Sequence, residues 1–343
     1  MLRKTELDQS IDWLTANASA PVKYLTQIQL LGVKSDSGEA EALWENVEMY
    51  DQTREIFSKQ AEDGSWCAGG SWAPKPSYLP GNGCTPVSPK YVTTVWLLSL
   101  LGDMGYTVRD RRIEKACEWT LGWQLPNGVL SEKRGQLTEA DYNLNPRNVP
   151  CRMSIQLAGL TKVDAGKDLR VRKALDLLVR WQREDHGWLY EGHRDGTSAP
   201  YEIWDRSCPW STFFSVTALF HADIPYREAA RSGLDFLLWH LDRKTPDQIT
   251  QFFWHGHEPV KELLMLSEMG YDPGQKSIQL LLDWLEGMRD PTTGSYLYKG
   301  KPVSKMSRRE DGGDPRVMRY RLYHLIEADW LTYWATRIAS NFM

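Results

Sequence analysis

Cysteine and histidine side chains that could bind a metal recur at regular intervals. Cys151, Cys208 and His257 each stand 31 to 33 residues before the end of a predicted helix. Thiolate sulfur, imidazole nitrogen and carboxylate oxygen are zinc ligands, and Asp205 lies three residues before Cys208. Together Asp205, Cys208 and His257 would suit zinc with an open coordination position. Cys84, in a long Pro/Gly-rich loop, is a further candidate ligand beside Cys151.

Two other interpretations of these residues stay open. Three cysteines with one histidine would suit a closed zinc site or an iron–sulfur cluster instead of an open catalytic site. A free cysteine is also commonly buried as a small apolar side chain, which is the interpretation we give to Cys67 and Cys117.

The candidate ligands lie among helices that belong to a repeated unit. In the stretch from Val171 to Phe220, an amphipathic helix ends near Gln182 and is followed by a turn and the apolar helix Pro209–Phe220. The Gln, Gly and Trp of the turn Gln182–Trp188 have counterparts in Gln60–Trp66, and more weakly in Gln124–Gly128. The helix before Gln60 is predicted to run unbroken from residue 39 to residue 60.

The repeats predict an all-α, (α/α)6 toroid of six inner and six outer helices. We expect one domain over residues 1–343, with repeats ending near 60–66, 124–128, 182–188, 241 and 288–296. The last inner helix is predicted within Pro315–Trp334. In such a ring the N-termini of the inner helices open at one end, where helix dipoles favour thiolate over thiol.

The segment Gln-x-x-Asp-Gly-x-Trp at Gln60–Trp66 resembles the QW-type repeat of the terpenoid cyclase and protein prenyltransferase β-subunit superfamily. This resemblance implies the toroid and an isoprenoid substrate. It also implies zinc at Asp205, Cys208 and His257, and a diphosphate contact at Arg194. Two features depart from the family: the spacing is Asp-x-x-Cys instead of Asp-x-Cys, and the Asp-rich acid motif of class II cyclases does not occur.

A basic, tyrosine-bearing segment lies near the C-terminus. The stretch from Lys299 to Arg321 carries eight Lys or Arg against three acidic residues. Helical spacing predicts one shared face that would suit a diphosphate or carboxylate. The alternative is a solvated basic loop. The face comprises Arg316, Arg319, Tyr320, Tyr323 and His324, and we assign Trp210 of the central unit to the same substrate site.

Composition narrows the classes of partner. The chain has 16 Trp, 15 Tyr and 8 Phe, enough aromatic rings to line an apolar cavity. A net charge of −4 argues against nucleic acid, and no run is apolar enough for a transmembrane segment. Five cysteines without a disulfide spacing favour a reducing, cytoplasmic location. No nucleotide fingerprint occurs, so no nucleotide cofactor is expected, and a homo-oligomer is left open.

Three functions fit these observations. The leading hypothesis is an enzyme of cyclase or prenyltransferase type acting on an isoprenoid or similar hydrophobic substrate. A carbohydrate-active (α/α)6 lyase or hydrolase is the first alternative, because aromatic rings and paired carboxylates also serve sugar chemistry. The second is a binding or structural module with a metal or an iron–sulfur cluster held by Cys and His.

Overall fold

The computed structural model describes residues 3–66, 94–130, 150–189, 207–246, 259–298 and 328–343. These residues form α-helices and turns, with two isolated β-bridges and no strand, which confirms the predicted all-α class. None of the described helices is long and apolar enough to cross a membrane. The helices are α1 (Lys4–Asn17), α2 (Ala20–Gln29), α3 (Gly38–Met49), α4 (Asp51–Ser58), α5 (Thr94–Asp103), α6 (Arg111–Leu121), α7 (Pro150–Lys162), α8 (Leu169–Arg180), α9 (Pro209–Phe220), α10 (Arg227–Leu241), α11 (Pro259–Glu268), α12 (Lys276–Glu286) and α13 (Ala328–Asn341).

Two kinds of helix alternate along the chain. Helix α9 is buried around its whole circumference from Trp210 to Leu219, and α5 and α11 are buried almost as completely. By contrast, α6 and α8 each bury a single stripe, such as Ile113, Ala116 and Thr120 on α6. A helix that is apolar on all sides must be surrounded by other helices, whereas a striped helix faces solvent. The first kind therefore lies inside the second.

A glutamine in three successive turns links neighbouring outer helices. The Nε2 of Gln60 donates to the carbonyl of Gly64 at 2.9 Å and to that of Arg112 on α6 at 2.8 Å. Gln124 bonds Arg170 on α8 at 2.7 Å, and Gln182 bonds Ala229 on α10 at 3.0 Å, each together with a carbonyl of its own turn. The same side chain thus fixes the position of three consecutive outer helices.

A tryptophan or tyrosine after three of the turns links an outer helix to the next inner helix. The indole nitrogens of Trp66 and Trp188 donate to carbonyls of the preceding outer helix, at 2.7 and 2.8 Å. Their backbone N–H groups donate to threonine hydroxyls on α5 and α9, both at 3.0 Å. Tyr296 bonds Thr332 of α13 in the same way at 2.8 Å. These aromatic residues are buried scaffold.

The two ends of the chain meet. Helix α13 packs against α1 and α2 as well as α11. Arg289, which follows α12, donates to Gln9 of α1 at 2.7 Å, and Ser10 of α1 donates to the carbonyl of Gly294 at 2.7 Å. The backbone N–H of Ser19 is bonded by Asp329 at 3.0 Å. The last unit is therefore joined to the first by hydrogen bonds like those between consecutive units.

The structure corrects one predicted helix and extends another. Residues 39–60 form two helices, α3 and α4, because Tyr50 between them has extended dihedral angles, with φ −63° and ψ 131°. The last inner helix continues past Trp334 to Asn341, since Ala335 and Ile338 prolong its buried face. The predicted start of that helix at Pro315 lies outside the described residues.

Candidate functional site

The predicted metal ligands are only partly covered by the described residues. Cys208 is the N-cap of α9, next to Pro209 in the first turn, as the sequence predicts for a residue at the start of an inner helix. Cys151 lies in the first turn of α7, and this position does not test its predicted role as a metal ligand. Asp205, His257 and Cys84 lie outside the described residues, so the zinc site remains a prediction.

The pKa of the Cys208 thiol is shifted in the direction opposite to the one that the sequence predicts for a helix N-terminus. Burial raises the pKa of this thiol, and the backbone N–H groups of Ser211 and Trp210 offset only part of the effect. The helix N-terminus alone therefore does not favour the thiolate, because removal of the thiolate from water costs more than the dipole returns. A coordinated metal would favour the thiolate instead, because it deprotonates a thiol that it binds.

Aromatic rings from two inner helices, α5 and α9, form a contiguous cluster. Trp210 is 5% exposed and lies edge to face with Phe214, with ring centroids 4.8 Å apart. Phe214 also contacts Trp96 of α5 at 5.5 Å and Phe213 at 5.2 Å, again edge to face. The other predicted substrate contacts lie outside the described residues: Arg194, Arg316, Arg319, Tyr320, Tyr323 and His324.

A cavity of about 80 Å³ lies between α5, α7, α9, α11 and α13, which we call the inner helices. That volume holds several water molecules or one small branched hydrocarbon group. Aromatic side chains from three of the helices form much of its wall: Trp96, Phe213, Phe214, Phe220 and Trp334. Four inner helices also end here, at Asp103, Lys162, His221 and Glu268, so they run in the same direction.

Charged side chains form one side of this cavity. Asp103 accepts ion pairs from Lys162 at 3.0 Å and from Lys261 at 3.1 Å. Arg337 of α13 pairs with Glu268 at 2.5 Å. The ammonium of Lys261 also lies 3.8 Å from the centre of the Trp334 ring, a cation–π contact. Cations are favoured at this place because helix C-termini carry partial negative charge.

Two titratable groups in the cavity tend toward their neutral forms. Burial raises the pKa of Glu268, although Arg337 works against that shift. The pKa of His221 falls to about 3, first because protein surrounds the ring and then because Lys162 is close. His221 nevertheless has exposed surface, and it is among the residues that line the cavity. The cavity therefore offers one carboxyl group with an increased tendency to hold a proton and one neutral imidazole.

Sequence reasoning missed these charged residues, although a signal was present. The helix ends Asp103-Met104-Gly105-Tyr106 and Glu268-Met269-Gly270-Tyr271 are near duplicates. Each tyrosine donates to an outer-helix carboxylate, Tyr106 to Glu48 at 3.0 Å and Tyr271 to Asp235 at 2.6 Å. The duplication places Asp103 and Glu268 at the same position of two units, and both line the cavity.

Neither a protein-family model nor a curated protein matches the chain. Solved structures with a similar arrangement include a protein from Actinoplanes, at 15% identity and TM-score 0.44, with 98% of this chain and 99% of that chain covered. Another is the type II terpene cyclase MstE from Scytonema, as a variant in complex with merosterolic acid A. It shares 13% identity at TM-score 0.45 and covers 99% of each chain. The apo form of MstE gives 12% identity and TM-score 0.44, with 98% and 99% covered.

Proposed function

We propose that this protein is an enzyme of cyclase or prenyltransferase type that acts on an isoprenoid or similar hydrophobic substrate. The supporting observation is the aromatic cluster of Trp96, Trp210, Phe213 and Phe214 beside the cavity between the inner helices. Faces of such rings attract cations, and in a dry cavity they would stabilise the carbocations through which isoprenoids react.

The proposed architecture is a closed (α/α)6 toroid. Three lines of evidence support it: the repeated glutamine and aromatic hydrogen bonds between units, the shared direction of four inner helices, and the bonds that join α1 to the segment after α12. In a ring of this kind the apolar cavity is enclosed by the fold itself, and the substrate enters along the ring axis.

The cavity suggests how a proton would be handled. Glu268, whose pKa is raised by burial, would in its protonated form transfer its proton to a double bond of the substrate and leave a carbocation at the neighbouring carbon. The neutral imidazole of His221 would then remove a proton from the adjacent carbon and restore a double bond. The proton passes back from His221 to Glu268 through solvent, so the cycle needs no co-reactant.

Product analysis tests this function. The protein is incubated with farnesyl and geranylgeranyl diphosphate and the corresponding alcohols, and the products are separated by gas chromatography with mass detection. Glu268→Gln should lower turnover about 100-fold, since loss of a general acid typically has that effect. Glu228→Gln, on the exposed face of α10, is the matched control and should retain full activity. Absence of both turnover and binding for all four compounds would exclude the proposal.

A zinc ion at Asp205, Cys208 and His257, with Cys151 or Cys84 as further ligands, remains part of the proposal. Zinc would act there as a Lewis acid on a substrate oxygen. Elemental analysis of the purified protein tests its presence, with an absorption spectrum to detect an iron–sulfur cluster. Cys208→Ser should reduce the zinc content, while Cys117→Ala, a buried position on α6, should leave it unchanged. Equal zinc in both variants would remove Cys208 from the site.

The carbohydrate alternative has one observation in its favour. Two carboxylates, Asp103 and Glu268, line the same cavity as the Trp96 and Trp334 rings, and sugar-cleaving enzymes use paired carboxylates beside aromatic platforms. Thermal unfolding separates the two functions. A rise in melting temperature with oligosaccharides, and none with prenyl compounds, would favour this alternative.

A further inference from the structure

A second, larger cleft lies on the outer side of the inner helices. It is bounded by α2, the loop before α3, the start of α3, and the turn between α5 and α6, and its volume is about 830 Å³. This volume lies in the range of sites for small organic ligands.

Three aromatic side chains from different elements meet at the cleft. Trp44 of α3 lies between Tyr24 of α2 and Tyr106, with ring centroids 4.9 and 4.7 Å apart and both pairs at 63°. Tyr106 is 1% exposed and is held by its hydrogen bond to Glu48, so it supports Trp44, and the accessible ring surface belongs to Tyr24 and Trp44. Gly105 has φ 96°, and a Cβ there would lie 3.2 Å from the Tyr24 ring, so only glycine lets the turn pack on these rings.

The charge at the cleft is negative. Its lining includes the acidic residues Asp36, Glu41, Asp110 and Asp164 against two cations, Arg109 and Lys162. Asp110 is paired with Arg112, and Lys162 is paired with Asp103 in the inner cavity, so these two lining charges are already offset. The remaining three acids face one arginine, which leaves a net charge of −2 at an aromatic surface.

We infer that this cleft binds an organic cation, an alkylated or quaternary ammonium group carried on a small molecule. Ring faces attract such a cation electrostatically, and its alkyl groups lose less hydration than a bare ammonium. The acidic side chains add attraction at longer range without requiring a fixed geometry. Because the rings are already positioned by packing against Gly105 and by the Tyr106 hydrogen bond, little ordering is needed on binding.

Choline and dimethylbutanol, its uncharged isostere with carbon in place of nitrogen, provide the test. Titration of the full chain is followed by calorimetry or by the indole N–H signals in NMR. Choline should bind about tenfold more tightly than the isostere, because cation–π and charge attraction act on choline alone. Equal binding of the two compounds, or no binding of choline at about 100 mM, would overturn the inference.

Variants locate the site. Trp44→Leu should weaken choline binding several-fold with little effect on the isostere. Glu41→Gln, at an exposed position where the fold does not depend on the side chain, should also weaken it, and this loss should shrink at high salt. Glu45→Gln is the matched control, since it lies on the same helix but does not line the cleft. Unchanged choline affinity in both Trp44→Leu and Glu41→Gln would place binding elsewhere and reject the site.

Discussion

The imidazole of His221 illustrates how single residues set the electrostatics of the inner cavity. It faces Lys162, Lys261, Arg337 and Asp103, and the three cations oppose a further positive charge. Burial of the ring, and after it these cations, lower the pKa to about 3, far below the ordinary value of 6.5. As a neutral ring in a cavity, His221 can accept a proton from a substrate, which an imidazolium could not do.

This shift predicts an acid-dependent loss of stability. The pKa of His221 is depressed in the folded chain, so its contribution is complete above pH 6.5 and is lost as pH falls from 6.5 toward 3. Over that interval the unfolded chain binds a proton that the folded chain does not. Denaturant unfolding measured at several pH values should show a shallower loss for His221→Gln than for the wild type. The control variant His186→Asn, in an exposed turn, should follow the wild-type curve. If the curve of His221→Gln also ran parallel to that of the wild type, His221 would not be the source of the acid-dependent loss.

Residue-level prediction succeeded where the backbone fixes the position and failed where packing does. Cys208 could be placed at the start of an inner helix because Pro209 marks the first turn of α9. The protonation state of its thiol could not be predicted, since the pKa depends on how much protein surrounds the sulfur. Asp103 and Glu268 were missed for a related reason: whether a carboxylate at a helix end faces solvent or a cavity depends on neighbouring helices.

At the scale of elements, three of the turns are each joined to the following inner helix by a buried threonine. Thr212 accepts the backbone N–H of Trp188 at 3.0 Å, and both residues are fully buried. Thr94 and Thr332 do the same for Trp66 and Tyr296. The N–H groups of these turns have no alternative partner in water, so the threonine hydroxyls are required for the turn to pack.

Thr212→Val should therefore destabilise the protein by about 1 to 3 kcal/mol, the cost of a buried unsatisfied donor. Shape is nearly preserved, so lost packing contributes little. Thr161→Val is the control, because the Thr161 hydroxyl donates only to carbonyls of its own helix, those of Leu157 and Ala158, which already serve the backbone. Chemical denaturation of the two variants measures the difference. Similar losses in both would mean that the Thr212 hydrogen bond contributes nothing specific.

Helix type could be predicted from the sequence, but the break between α3 and α4 and the end of α13 could not. The period of apolar residues separates the fully buried α9 from the striped α8. The predicted helix Pro209–Phe220 coincides with α9, and the predicted end near Gln182 lies two residues beyond the end of α8 at Arg180. The break between α3 and α4 had no such signal, because Tyr50 lacks the backbone preference of glycine or proline. Its extended dihedral angles depend on tertiary packing.

At the scale of the whole molecule, the contacts between the chain ends are those that the proposed closed ring requires and that an open stack would lack. In an open array of helical repeats the terminal helices have one neighbour each and unfold first. Here α1 and α13 pack against each other, and Arg289 occupies the position that Gln60, Gln124 and Gln182 hold in earlier units. Because an arginine stands where earlier units have a glutamine, the contact between the chain ends was not evident from the sequence motif.

Gly294 allows the closing contact to be tested. It has φ 77°, and an added Cβ would lie 3.0 Å from backbone atoms of Gln9 and Ser10 on α1. Gly270 has a similar φ of 71° with nothing within 4 Å, so Gly270→Ala carries the backbone strain alone. Gly294→Ala should cost about 1 to 3 kcal/mol more than this control, because a well-packed contact must open. Hydrogen exchange should then show faster opening of α1 and α13 in Gly294→Ala only, whereas equal exchange in the two variants would indicate that the chain ends are not coupled.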